Sequence, residues 1–386
     1  MNKKEVLEIK KQFSPANCAI TRICGCYVDH EKNKKFLSKN AFLSLPEEEA
    51  FKYFDIFKHT LGGTVGKNLL NLDFPLDQEQ PDGTQYFLLK LRDSKLQDDE
   101  LLDTFYDKVI ENYEYAENYY IILIHAVYDV PGKSLDGMEM FDASDSVYEH
   151  IMMSICPVKL SKAGLSYNPD TNNIEDRSRD WLVEGPMNGL LFPAFHDRNS
   201  DIHSALFFTK KAEEIHPEFI DGMLGCGQPM TAEGQKESFH AIVLDSMGDD
   251  CDYEVMKNIH ESLNEMLEEH KEDPEPLTLS KPDVKRLLEH SGAKEEHVEI
   301  FEKEYENMIG DQTSLLASNI ANTKKFHIET PEISIKINSD RADLIETCMI
   351  DNRKCIVIPV DDFIEVNGVT VKTVVKKEEI EQEETV

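Results

Sequence analysis

SALFFTKKAEEIHPEFIDGMLGCGQPMTAEGQKESFHAIVLDSM, residues 204–247, holds in order an apolar strand, an amphipathic helix, a glycine–proline break and a second helix. Ala205 to Thr209 is apolar and too short for a helix, so it reads as a buried strand. The helix after it carries Phe219, Ile220, Met223 and Leu224 at spacings of one, three and four, which places them on one face. Gly225-Cys226-Gly227-Gln228-Pro229 interrupts it. The second helix starts near Thr231 and brings Phe239, Ile242 and Val243 to one side. None of these residues is an evident catalyst. A strand leading into helices at this point is the closing element of a mixed α+β unit.

Working back toward the start, residues 3–13 read as a short helix with Val6, Leu7, Ile9 and Phe13 as its apolar positions. Ala19–Val28 and Phe36–Leu43 read as strands joined by a polar turn at 30–34. Ser44-Leu45-Pro46-Glu47 has the form of a capping box, and the helix behind it sets Ala50, Phe51, Phe54, Phe57 and Leu61 on one face before Gly62-Gly63 stops it. Tyr86–Leu91 reads as a strand, Asp98–Tyr113 as an amphipathic helix and Tyr119–Val130 as the best strand of the chain. Asp136–Ser146 reads as a loop, Val147–Leu160 as a strand and Gly189–Phe195 as another.

Working forward, Asp250–His270 reads as one long acidic helix and Asp273-Pro274-Glu275-Pro276 as a linker. Two shorter helices follow, one capped at Ser280 and ending at Gly292, the other over Lys294–Ile309. Strands return at Phe326–Ile337, Leu344–Asp351, Lys354–Val360 and Phe363–Val374, the last folded back on itself at Asn367-Gly368. The expected architecture is therefore α+β: a mainly antiparallel N-terminal sheet with flanking helices over 1–247, an acidic helical segment over 248–322 and a small β-meander over 323–375. A disordered acidic tail over 376–386 follows.

Charge is distributed unevenly. The 386 residues carry a net charge of −34, yet residues 1–70 hold 12 Lys and Arg against 8 Asp and Glu. Residues 245–320 hold 21 acids against 7 bases. The picture is a basic head on an acidic body. The opening MNKKEVLEIKKQF has no apolar core of a signal peptide, and no apolar run approaches the roughly 18 residues a membrane helix needs. With eight cysteines spread thinly, the expectation is a cytoplasmic protein with reduced thiols and no membrane partner.

The opening NKKEVLEIKKQF followed by CAITRICGCYVD resembles an uncharacterised family of bacterial proteins of unknown function. Residues 204–247 also resemble the bacterial nucleoid-associated protein family. The shared features are Leu206-Phe207-Phe208, Lys210, Phe219, Leu224-Gly225 and Gln235, ten residues after that glycine. About forty residues match in this way, and the order of elements around them is similar. The resemblance implies a non-enzymatic protein associated with the nucleoid, with DNA or nucleoid proteins as partners.

Several constellations invite chemical readings. Gly62–Lys67 suggests a phosphate loop, but Leu61 and Asn68 stand where that motif needs Gly and Ser or Thr, so a helix stop is the better reading. Cys18, Cys24 and Cys26 lack the paired spacing of a structural zinc site and read as buried thiols. Residues 249–254 resemble the start of a calcium loop, but Val255 replaces the required Gly. The helix pair over 280–309 has the outline of a helix-turn-helix, but its second helix is acidic.

Two sets remain as candidates. Lys3, Lys4, Lys10, Lys11, Lys32, Lys34, Lys35 and Lys39 form the basic head and could neutralise DNA phosphates if folding gathers them. His196, Asp197, Arg198, Asp201 and His203 are the densest group of acid–base side chains and could serve a metal-dependent enzyme. The first expectation is a non-enzymatic nucleoid-associated protein with no cofactor and no bound metal. The alternatives are an acidic module that docks a basic partner protein, and an enzyme built on the 196–203 loop.

Overall fold

The computed structural model describes residues 1–133, 139–311, 313–321, 325–359 and 364–371. Its centre is one antiparallel sheet between two helical layers. In chain order, helix α1 (Lys3–Lys10) precedes strands β1 (Ile20–Val28) and β2 (Lys34–Ala41), helix α2 (Glu47–Thr60) and strand β3 (Leu69–Asp73). Helices α3 (Thr84–Asp93) and α4 (Asp99–Asn112) lead into the long strands β4 (Tyr119–Lys133) and β5 (Glu139–Leu160). The short strands β6 (Leu165–Asn168), β7 (Asn173–Asp176) and β8 (Trp181–Val183) precede β9 (Asn188–Phe192). Then come the small hairpin β10 (Ala194–His196) and β11 (Asn199–Asp201), and strand β12 (Ser204–Thr209). The sheet order is β2-β1-β4-β5-β9-β12-β3, with β8 paired to β5.

Strand β4 reads as a continuous apolar run because both its faces are buried. Ile121 and Leu123 pack toward α3, α4 and α5 (Pro217–Leu224). Ile122 and Ile124 pack toward α1 and α2. Phe219, Ile220, Met223 and Leu224 of α5 are all buried, as their spacing requires; each such side chain stabilises the fold by about 1.5–3 kcal/mol.

The helical part begins at α6 (Ala232–Met247), whose N-cap is Thr231. It continues through α7 (Tyr253–Glu269), β13 (Thr278–Leu279), α8 (Lys281–His290), α9 (Glu295–Met308), β14 (Leu315–Leu316) and α10 (Ala317–Ile320). Phe239, Ile242, Val243 and Met247 of α6 share one core with Ile259, Leu263, Leu287, Phe301 and Tyr305. Among the described residues, the β-rich end holds three hairpins. They are β15 (Lys325–Glu329) with β16 (Ser334–Asn338), β17 (Glu346–Ile350) with β18 (Arg353–Val357), and β19 (Ile364–Val366) with β20 (Val369–Val371). Asn367 and Gly368 both take positive φ between the last two, as a two-residue hairpin turn requires.

Four local expectations are corrected. Tyr86–Leu91 lies in α3, not in a strand: Leu88 and Leu91 are buried one turn apart, while Phe87 and Leu89 are only half-buried. Strand β3 was not expected; it closes the sheet edge against β12. Ser44 does not cap α2: its hydroxyl donates to the Ala41 carbonyl at 2.7 Å, and Pro46 takes the N-cap position. Residues 139–146, expected in a loop, extend β5. The expected tail over 376–386 lies outside the described residues.

Candidate functional site

Helix α1 is short, and its ends explain why it holds. The Asn2 side chain accepts from the amides of Lys4 and Glu5 at 3.0 and 3.1 Å, and Glu5 accepts from the Asn2 amide at 2.7 Å. This reciprocal box satisfies the first orphan amides. Val6, Ile9 and Phe13 then bury into the sheet core, while Leu7 stays about half exposed.

The acids of α1 turn inward. Glu5 is buried and accepts from the Asp197 amide at 2.8 Å. Glu8 accepts from the Tyr128 hydroxyl at 3.0 Å and pairs with the Arg198 guanidinium at 2.9 Å. With both carboxylates committed to the body, Lys3, Lys4 and Lys11 stay exposed and Lys10 is half-buried. None of the four makes an ion pair among the described residues.

The rest of the basic head behaves differently. Lys34 pairs with Asp103 and, at 2.7 Å, with Asp107 of α4. Lys39 pairs with Asp99 at 2.7 Å and donates to the Gln97 carbonyl. Lys35 pairs with Asp29 at 2.8 Å, and this contact, with amides of the 29–33 turn, holds the Asp29 carboxyl far below the usual carboxylate range. Lys34 and Lys39 fasten the sheet edge to α4, while Lys35 braces the β1–β2 turn. Lys32 occupies the turn with positive φ and makes no ion pair among the described residues. Folding thus separates the eight lysines into an ion-paired set of three on β2, Lys32 in the turn before it, and a set of four along α1.

The 196–203 group folds as a hairpin. Asp197 and Arg198 both take positive φ in its two-residue turn. Arg198 reaches Glu8 and also donates to the Pro131 carbonyl at 2.7 Å. His203 contacts Glu79 at 2.7 Å, whereas His196 stands 3.8 Å from Glu5 and 3.7 Å from Asp197. Asp201 accepts from the Ser204 hydroxyl and the His203 amide. The two imidazoles therefore serve different carboxylates. No cluster of three or more His, Cys, Asp or Glu suited to a metal occurs among the described residues.

A cleft of about 390 Å³ opens beside α1. Its floor includes Val6, Leu61, Leu69, Leu267 and Leu277. Lys3 and Lys10 edge it from α1, and His270, Lys271, Asp273 and Glu275 edge it from the end of α7 and the proline linker. Beside it, two hydrogen bonds join the sheet unit to the helical unit: Asn2 donates to Glu275 at 2.8 Å, and Asn319 donates to the Gly66 carbonyl at 3.2 Å. Sequence reading missed this cleft because its walls come from residues near 3–10, 61–69, 267–277 and 318. The one local signal was the seven-residue spacing of Lys3 and Lys10 around Leu7.

The sequence matches the family described as Domain of unknown function (DUF4317) over residues 1–369. The chain belongs to that family. No curated protein is significantly similar to it. No helix among the described residues is long and apolar enough to cross a membrane.

The other motifs resolve into structural roles. Gly62 and Gly63 end α2, and Gly63 has φ of 99°, beyond easy reach of other residues. Asp252 caps α7 by accepting from the Val255 amide at 3.0 Å, while Asp250 pairs with Lys294. Burial pushes the thiols of Cys24 and Cys26 up to about 11 and about 12, which keeps them protonated and unreactive at neutral pH. Gln235 is buried, and its carbonyl oxygen accepts from the Leu316 amide at 2.9 Å and the Asn319 side chain at 3.2 Å. It locks α6 to α10.

Proposed function

We infer that this DUF4317 chain is a non-catalytic cytoplasmic protein of the nucleoid that meets the DNA backbone through α1. The supporting observation is the separation of charge on that helix: Glu5 and Glu8 are consumed inside, while Lys3, Lys4 and Lys11 are exposed, Lys10 is half-exposed, and none of the four has a carboxylate partner among the described residues. Phosphates are the complementary surface, and such a contact carries affinity without reading base sequence. The acidic remainder of the chain confines contact to this face. The test is retention of purified protein on duplex DNA across a salt series. Binding that weakens steeply with salt, and is lost when Lys3, Lys4, Lys10 and Lys11 become Glu, supports the reading. No retention at low salt sinks it.

A second reading rests on α9, where Glu295, Glu296, Glu299 and Glu306 are exposed. This face suits a basic partner protein. Charge reversal at those four positions should abolish partner capture from nuclease-treated lysate while leaving DNA retention intact; undiminished capture refutes it.

A further inference from the structure

We propose that the cleft between α1 and the 273–276 linker binds a small amphiphilic anion, with an apolar body on the leucine floor and an acidic head at Lys3 and Lys10. Four observations carry this. The volume of about 390 Å³ lies within the ~300–1,000 Å³ range of small-molecule sites. The floor is aliphatic from both sides: Val6, Leu61 and Leu69 from the sheet unit, Leu267 and Leu277 from the helical unit.

The rim charges are unequal in availability. Lys3 and Lys10 are two helical turns apart, about 10 Å by helix rise, and have no carboxylate partner among the described residues. On the opposite wall Glu275 already accepts from Asn2 at 2.8 Å, and Lys271 is paired with Glu268 at 3.0 Å. Asp273 stays exposed on the linker side, which directs an acidic head toward α1. Finally, Leu7 lies half exposed between the two lysines and lines the same cleft. An apolar side chain bracketed by two cations matches an amphiphile better than a bare ion.

The inference goes beyond DNA contact because it adds the leucine floor, although it shares Lys3 and Lys10 with that contact. The test is calorimetric titration of the full chain with decanoate, with decanol as its uncharged counterpart and with inorganic phosphate. Saturable decanoate binding is expected at one site, with decanol about tenfold or more weaker, the loss of a charged hydrogen bond being worth about that much. Lys3→Gln with Lys10→Gln should weaken decanoate about tenfold and leave decanol unchanged. Leu267→Trp, which fills the floor, should abolish decanoate binding; because it leaves all four lysines in place, DNA retention should persist. If Leu267→Trp unfolds the helical unit, the lysine pair still decides. Decanoate that fails to saturate, that binds no better than phosphate, or that ignores the lysine substitutions overturns the proposal. DNA retention measured on the same preparations distinguishes this failure from failure of the nucleoid reading.

Discussion

Arg198 and Glu8 stand 2.9 Å apart although 190 residues separate them in sequence, and the same guanidinium donates to the Pro131 carbonyl at 2.7 Å. The pair is four-fifths buried on each side, so it is less screened than an ordinary surface ion pair. It pins the β10–β11 turn onto α1 and fixes which way the helix presents its lysines. Arg198→Met should destabilise the protein by about 1.5–3 kcal/mol, the usual cost of losing hydrogen bonds to a charged group. Paired with Glu8→Gln in urea unfolding, the double-mutant cycle should return a coupling of about 0.5–3 kcal/mol. Strict additivity would show that the turn is not latched to the helix.

Gly25 in β1 lies under the ring of Tyr120 in β4. A Cβ added at Gly25 would sit 1.9 Å from the Tyr120 hydroxyl oxygen and 2.5 Å from Cζ. Tyr120 is itself held by neighbours, its hydroxyl 3.3 Å from that of Ser38. Gly25→Ala should therefore cost about 1–3 kcal/mol through overpacking. Adding Tyr120→Leu should recover part of that loss, because the obstructing atoms are gone. Thermal melts of both variants decide it; a Gly25→Ala protein as stable as the parent would mean the ring moves aside freely.

How much of this was legible depended on whether pattern or tertiary contact fixed each element. Phe219, Ile220, Met223 and Leu224 were readable because one face of α5 meets the core and the spacing says so. Tyr86–Leu91 was not, since a short apolar run broken only by Lys90 fits strand and helix equally and packing against the sheet selects the helix. Leu69–Asp73 is five residues long, and its partner β12 lies more than 130 residues away, so nothing local announced it. The candidate site shows the same division. The lysines were visible as a set, but their separation depends on α4 supplying Asp99, Asp103 and Asp107 to β2, and on the hairpin drawing Glu5 and Glu8 inward. Beyond the spacing of Lys3 and Lys10 around Leu7, the cleft left little trace in sequence, because its walls come from stretches far apart in the chain.

Gln235 tests how firmly the helical unit is joined. Its carbonyl oxygen accepts two hydrogen bonds, and its amide donates to the Met230 carbonyl at 3.3 Å. Gln235→Leu leaves the Leu316 amide and the Asn319 side chain without that acceptor, at a cost of about 1–3 kcal/mol. Gln235→Glu keeps the acceptor and should lose less. Hydrogen exchange at the Leu316 amide reads the effect directly: it should accelerate in Gln235→Leu and stay slow in Gln235→Glu. Equal protection in both would assign the stability of this junction to apolar packing alone.

His150 gives the fold a pH dependence of defined sign. It is fully buried in β5, stacked on Tyr148 with ring centroids 4.4 Å apart, and neither ring nitrogen has a hydrogen-bond partner among the described residues. Burial lowers its pKa to about 3; the Tyr148 backbone opposes this, and His125 adds to it. The unfolded chain, with an ordinary histidine near 6.5, therefore binds a proton that the folded state refuses between those values. Stability from this group is intact above about pH 6.5 and falls below it, by up to about 1.4 kcal/mol for each pH unit. His150→Phe retains an aromatic ring against Tyr148 and removes the titrating group. Urea unfolding at pH 7.5, 6.5, 5.5 and 4.5 should give a shallower acid slope for the variant, with the difference opening only below about pH 6.5. His125 is present in both proteins, and burial lowers its pKa too, against the pull of Glu149, so its own contribution cancels in the comparison. Parallel slopes would mean that His150 gains a proton acceptor or solvent access before the chain unfolds, and that the sheet opens locally at Tyr148 in acid.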